Sequence, residues 1–449
     1  MNDDHDDRKR GTSERGAERP TGPATRHETG ANDESRPATR AVWAGEERAW
    51  MQGATQVPVV HSVSFGYDDL DVWRDVALGK VEGHIYGRNT NPTTAAFEEK
   101  IRSLEGADAA TSFATGMAAI SSTLYALLRP GQRVVTIKDT YGGTNRIFLD
   151  YLPAFGIDVT MCDTHDEAGI LAEIARGCDL VYLETPTNPT CKVLDVARLA
   201  EAGHAQGAVV VVDNTFATPI NQLPLALGAD LVVHSATKYL GGHADALGGV
   251  VCGSADLVAT IFAFREVHGA TLQPESAYLL LRGMKTLDLR VERQNASAMT
   301  VATWLARHPA VAKVYYPGLP DHPNHDVAAR QMRGFGGMLS FELHGGFEAV
   351  KQALPKLRYA HRAANLGAVE TVVAPPRTGS HVELTEAERA ALGIPEALVR
   401  YSVGIEHTDD LLADLEQALA GLARGAGVVR TADDVRATPV SAGEAGRET

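Results

Sequence analysis

The chain has 449 residues, enough for two or three domains and a sizeable core. Its 44% hydrophobic and 22% charged residues are those of a soluble globular protein, and a formal net charge of −15 argues against a general nucleic-acid binder. Four cysteines without Cys-x-x-Cys spacing, no apolar run near the roughly 18 residues of a membrane span and no secretory-type leader together predict a cytoplasmic protein with no membrane attachment.

Between Met1 and Val42 there is no Leu, Ile, Val, Phe, Tyr or Trp, so residues 1–45 are expected to form a disordered tail that cannot bury enough apolar area to offset its ordering entropy. Asn91-Pro92 reads as an N-cap followed by Pro at the first helical position, with Phe97, Ile101 and Leu104 along one helix face. A second helix should start after Thr115, with Met117, Ile120, Leu124 and Leu127 in line. Short apolar runs follow at Arg133-Val-Val-Thr-Ile, Asp179-Leu-Val-Tyr-Leu, Ala208-Val-Val-Val-Val, Asp230-Leu-Val-Val and Gly249-Val-Val-Cys. Strands covered on both faces have this character, which predicts an α/β fold with a mostly parallel sheet. Helical periodicity over 273–307 leads into a C-terminal part, where Gly336–Leu343 alternates like a strand. The segment from Ala426 onward is again polar and is expected to be flexible.

Two strand ends carry the chemistry. The run from Asp230 exits into Ser235, Thr237 and Lys238, then into Gly241-Gly242; the Val209–Val212 run ends in Asp213. A lysine and an acid on neighbouring strand ends suit pyridoxal 5'-phosphate (PLP): the amine condenses with the aldehyde and the acid keeps a proton on the pyridine nitrogen. A phosphate dianion favours helix N-terminal N–H groups and hydroxyls, which Thr115-Gly116-Met117, Ser235 and Thr237 can offer.

Seven motifs in order carry a family resemblance: Tyr86-Gly-Arg88-Asn-Thr-Asn-Pro92, Ala114-Thr-Gly116-Met117, Tyr141-Gly-Gly-Thr144, Glu184-Thr-Pro-Thr-Asn188-Pro, Val212-Asp213-Asn-Thr, His234-Ser-Ala-Thr-Lys238 and Leu398-Val-Arg400-Tyr. From about Val57 to Leu422 the chain resembles the trans-sulfuration enzymes of Cys/Met metabolism, such as cystathionine γ-synthase and the O-acyl-homoserine sulfhydrylases. The resemblance implies a fold-type I, aminotransferase-like large domain with a smaller α/β C-terminal domain. It implies an arm over 46–90 against a neighbouring subunit, a PLP domain over 91–290, a C-terminal domain over 291–425, and a flexible tail over 426–449. It also implies a homotetramer built from two catalytic dimers and a small amino-acid substrate. Tyr86 and Arg88 would reach the phosphate of the neighbouring subunit, Tyr141 would stack on the ring and assist proton transfer, Asn188 would contact the ring hydroxyl, and Arg400 would grip the substrate α-carboxylate.

Departures from the family pattern bear on specificity. Gly143 stands where methionine γ-lyases resemble this stretch but carry a reactive cysteine. Ala364-Asn365 stands where cystathionine synthases and lyases carry Glu-Ser, so a carboxylate suited to a second amino acid's distal ammonium is missing; Asn365 then joins the expected substrate-binding residues. The run Ala374-Pro-Pro-Arg377-Thr-Gly-Ser-His381 departs too, and it would border the substrate entrance with Arg377. The expected activity is PLP-dependent γ-replacement on an O-acyl-homoserine or similar γ-activated amino acid with a sulfur nucleophile. The alternative is a γ-lyase releasing a 2-oxoacid and ammonia.

Overall fold

The apolar runs become buried strands of one seven-stranded sheet in the computed structural model, which describes residues 35–46, 53–382 and 384–422. The strands are β1 (Ala109–Phe113), β2 (Arg133–Ile137), β3 (Asp158–Cys162), β4 (Leu180–Glu184), β5 (Val209–Asp213), β6 (Leu231–His234) and β7 (Gly249–Gly253). Their spatial order is β1-β7-β6-β5-β4-β2-β3. The block from β6 to β3 is parallel, whereas β7 runs antiparallel to β6 and β1 antiparallel to β7. Successive side chains point to opposite faces, so Tyr182, Val211 and Val233 join one core layer while Val181, Leu183, Val210 and Val212 join the other. Both faces are covered, which is why these strands read as continuous apolar runs.

A second sheet holds β8 (Val311–Tyr315), β9 (Met338–Leu343), β10 (Ala360–Arg362), β11 (Thr371–Ala374) and β12 (Leu398–Ser402), in the order β10-β11-β12-β9-β8. Its core packs Leu339, Phe341, Val399 and Tyr401 against the helices Leu287–Leu305 and Thr408–Leu419. The parallel strands of the first sheet send their C-terminal ends toward this second layer, the usual location of a ligand crevice in open α/β sheets.

One expectation is corrected. A helix covers Pro37–Trp43, inside the segment read as a disordered tail through residue 45. The reason is long-range: the buried Lys100 Nζ donates to the carbonyl oxygens of Ala41 (2.9 Å) and Val42 (3.0 Å) and pairs with Glu46 (2.8 Å). Lys285 holds the other oxygen of Glu46 at 2.7 Å. Charged anchors, not apolar periodicity, dock this segment. Residues 1–34 of the expected N-terminal tail and all of the C-terminal tail lie outside the described residues. Among the described residues, no helix is long and apolar enough to cross a membrane.

Candidate active site

A cavity of about 440 Å³ opens where β4, β5 and β6 end and the second sheet approaches. Lys238 lies in the turn just after β6, its backbone N–H donating to the Ser235 carbonyl at 3.1 Å. Its Nζ donates to Asn365 Oδ1 at 3.0 Å. Burial, and then the Arg400 guanidinium, pull this amine down to about 8. A lysine poised there exchanges protons near neutral pH far more readily than a surface lysine.

Asp213 closes β5 one strand away and is buried. Its Oδ1 accepts from the Thr215 hydroxyl (2.5 Å) and backbone N–H (3.0 Å), and Tyr182 Oη approaches Oδ2 at 3.4 Å. Burial pushes the carboxyl above its usual range, against those hydrogen bonds. Arg400, on β12, is also buried. It donates to Asn188 Oδ1 at 3.0 Å and to the Asn365 carbonyl at 3.2 Å, and has no carboxylate partner among the described residues. Burial depresses its guanidinium, but an arginine stays charged.

The helix Gly116–Leu127 points its N-terminus into the same cavity, capped by the Thr115 hydroxyl on Ala118 N–H. The first N–H groups of a helix lack intrahelical acceptors. A Cβ on Gly116 would sit 2.7 Å from Ser235 Cβ, so glycine lets the helix end and the Ser235 turn meet. Tyr141 starts the short helix Gly142–Arg146 and is 45% exposed. A Cβ on Gly143 would lie 2.9 Å from Met117 Sδ and 3.0 Å from Tyr141 Cε1, so a side chain there would press on both.

The family model for Cys/Met metabolism PLP-dependent enzymes matches residues 38–420. The chain belongs to this family. It is similar to the L-methionine gamma-lyase of Fusobacterium nucleatum subsp. polymorphum, 43% identical over 385 residues, covering 85% of this chain and 97% of that protein. It is similar to the O-succinylhomoserine sulfhydrylase of Pseudomonas aeruginosa, 42% identical over 344 residues, with 77% and 85% covered. The solved cystathionine gamma synthase from Xanthomonas oryzae pv. oryzae, in complex with aminoacrylate and cysteine, matches at a TM-score of 0.81 and 40% identity over 86% of this chain and 98% of that one. The fold is therefore the fold-type I architecture of PLP-dependent enzymes, and the cofactor is PLP.

The residues present fit that cofactor. Asp213 is a buried acid with no ion-pair partner among the described residues, and a protonated ring nitrogen would supply the missing charge. The open N–H groups at Gly116 and Met117 and the Ser235 hydroxyl could hold a phosphate, in a cradle that a side chain at position 116 would fill. The Thr237 hydroxyl exchanges hydrogen bonds with Gly248, donating to its carbonyl at 3.2 Å and accepting its N–H at 3.0 Å.

The cavity is thus lined by Gly116, Met117, Tyr141, Asn188, Asp213, Ser235, Thr237, Lys238 and Arg400, and Asn365 touches it through Lys238. Tyr86 and Arg88 are not brought there. Both are exposed, with Arg88 over the Tyr86 ring at 5.5 Å and donating to the Glu266 carbonyl at 2.6 Å. The run Ala374–His381 reaches the cavity through Gly379 and Ser380, while its Arg377 pairs with Glu396 at 2.5 Å and lies over Phe347. Two residues were missed. Thr215 holds Asp213, and Asp-x-Thr at a strand exit was a local sign of it. Glu184 ends β4 directly beside Asp213 in the sheet register, an acid-terminated strand like β5.

Proposed function

We propose that this protein is a γ-replacement enzyme that joins a small sulfur nucleophile to an O-acyl-homoserine or a similar γ-activated amino acid. One observation carries the choice of nucleophile. Among the described residues lining the cavity, the carboxylates are Glu184 and Asp213 alone, and both are engaged by N–H or O–H donors beneath Lys238. Ala364 lines the cavity at the position where the family resemblance expects a glutamate in enzymes that take a second amino acid. Leaving an ammonium unpaired there would cost on the order of several kcal/mol, so sulfide or a simple thiol is favoured over cysteine.

When bound, PLP supplies an electron-withdrawing ring that would stabilise negative charge at substrate Cα and, in turn, at Cβ, from which the γ substituent can be expelled. Asp213 would hold the ring proton, the helix N-terminus at Gly116 and Met117 with Ser235 and Thr237 would hold the phosphate, and Asn188 would meet the ring hydroxyl. Arg400, its plane held by Asn188 and Asn365, binds the α-carboxylate. Lys238 Nζ, with its lowered proton affinity and oriented by Asn365, would move the proton from Cα, then take one from Cβ as the γ substituent leaves, and return protons to these carbons once the nucleophile has added at Cγ. Tyr141 covers the ring and assists that transfer.

The assembly we propose is a cytoplasmic homotetramer of two catalytic dimers. Support comes from the arm: Tyr86 and Arg88 lie away from their own cavity, and Leu70, Trp73 and Leu78 stand exposed before them. Arg88→Ala and Lys238→Ala proteins, each inactive, should regain activity when refolded together; inactive mixed dimers would place Arg88 in its own chain's service.

Incubation with O-succinyl- or O-acetyl-homoserine plus sulfide or cysteine, with products read by mass, tests the reaction. Homocysteine forming faster than cystathionine is the expected result. The reverse order would make the protein a cystathionine γ-synthase, and 2-oxobutanoate without incorporation of either nucleophile would make it a γ-lyase.

A further inference from the structure

We propose that Glu184 is a positioning residue that ties Tyr141 and Arg400 into one rigid arrangement; this rests on the roles proposed above for those two side chains. Glu184 is buried at the end of β4. Its Oε2 accepts the backbone N–H of Tyr141 at 2.7 Å and its Oε1 accepts the backbone N–H of Asn188 at 3.1 Å. These donors come from different loops, one after β2 and one after β4. Asn188 passes the constraint on, since its Oδ1 accepts from Arg400 Nη1 at 3.0 Å. One carboxylate therefore fixes the loop that presents the tyrosine and, through Asn188, the guanidinium.

The chemistry of the group matters. Each backbone amide offers a donor, so the bridging side chain needs two acceptor atoms, which a carboxylate has and a carboxamide lacks. Tyr141 needs the tether, because two glycines follow it and its ring is half exposed, so packing does little to hold it. Burial, and then the neighbouring Asp213, push the Glu184 carboxyl well above its usual range. An acid at this place is costly unless its oxygens are engaged, as they are here.

The test uses the holoenzyme with L-alanine, which carries a carboxylate for Arg400 but no γ substituent, and reads binding from the visible absorbance of the bound cofactor. Glu184→Gln keeps the shape but loses one of the two acceptors. It should bind L-alanine about 10-fold more weakly, the loss expected for one charge-assisted hydrogen bond. In an Arg400→Ala background the same change should weaken binding by less than about twofold, because the effect runs through Arg400. An equal loss in both backgrounds would overturn the link from Glu184 to Arg400 on which the proposal rests. Unchanged affinity in Glu184→Gln beside an impaired Arg400→Ala would also overturn it. Unchanged affinity in Arg400→Ala would instead sink the carboxylate role of Arg400. If Glu184→Gln does not fold, Asn188→Ala decides: it keeps both backbone bonds to Glu184 but cuts the link to Arg400, and normal L-alanine binding there would refute the chain of contacts.

Discussion

Gly116→Ala isolates the phosphate cradle from every other part of the site. The backbone at this position does not need glycine, since the residue opens an ordinary right-handed helix. What forbids a side chain is Ser235: the new Cβ would lie 2.7 Å from its Cβ, 2.8 Å from its Oγ and 2.9 Å from its Cα. Carbon atoms settle at roughly 3.5–4.0 Å, so the helix end and the turn must part by about 1 Å. The Ser235 hydroxyl could rotate away, but its Cα belongs to the backbone and cannot. Overpacking of this size costs about 1–3 kcal/mol, offset in part by about 0.4–1 kcal/mol from the lower entropy of the unfolded chain. A phosphate would then lose at least one charge-assisted donor, worth about 1.5–3 kcal/mol, or roughly 10- to 100-fold in PLP affinity. Titrating cofactor-free protein with PLP, followed by absorbance, measures that loss, and thermal unfolding with and without cofactor separates it from damage to the fold. Adding Ser235→Gly removes two of the three clashes, so it should restore part of the fold stability but not the hydroxyl's share of PLP affinity. Wild-type PLP affinity in Gly116→Ala would refute the idea that this close approach builds the cradle.

Three other outcomes are expected. Lys238 is depressed to about 8, so its neutral fraction rises as pH rises through 8; recombination of PLP with cofactor-free protein should accelerate over that window, Arg400→Ala should move the inflection upward, and a rate still climbing beyond pH 10 would contradict the shift. Glu46→Ala leaves the buried Lys100 and its neighbour Lys285 without their carboxylate and should cost about 3–5 kcal/mol in urea unfolding, whereas a loss below about 1 kcal/mol would show that the arm is not anchored there. Ala364→Glu adds the missing carboxylate to the cavity wall and should raise the ratio of cysteine to sulfide use about 10-fold; an unchanged ratio would remove position 364 from the specificity argument.

Much of the large sheet was legible because its central strands are buried on both faces and carry β-branched runs. The strands β1 and β3 were not, for local reasons: Ala109–Phe113 contains no Val or Ile, and Asp158–Cys162 is an edge strand of mixed polarity with few fully buried positions. Lys238, Asp213 and the Gly116 helix start could be read because each combines a strand or helix end with a chemically specific residue. Glu184 stood in a quoted motif without a role, since its meaning depends on donors contributed by two loops. The Pro37–Trp43 helix is a similar case. Nothing in its own composition predicts docking, and the residue that catches it, Lys100, lies far along the chain.

The charges of the cavity also constrain what it accepts. Arg400 is a buried cation without a carboxylate partner among the described residues, and it adds to the burial that lowers the proton affinity of Lys238. On the role proposed for Arg400, a substrate carboxylate would pair with it and offset its smaller share in lowering Lys238, while the larger share, from burial, would remain. The amine would regain only part of its proton affinity when an amino acid is seated, so burial would keep it able to exchange protons near neutral pH. Asp213 and Glu184 cannot serve this purpose, because hydrogen-bond donors already engage them and they lie at the strand ends beneath the lysine. On the proposed role of Arg400, the same arrangement would discriminate against amines without a carboxylate, which would leave the guanidinium unpaired and forgo its grip.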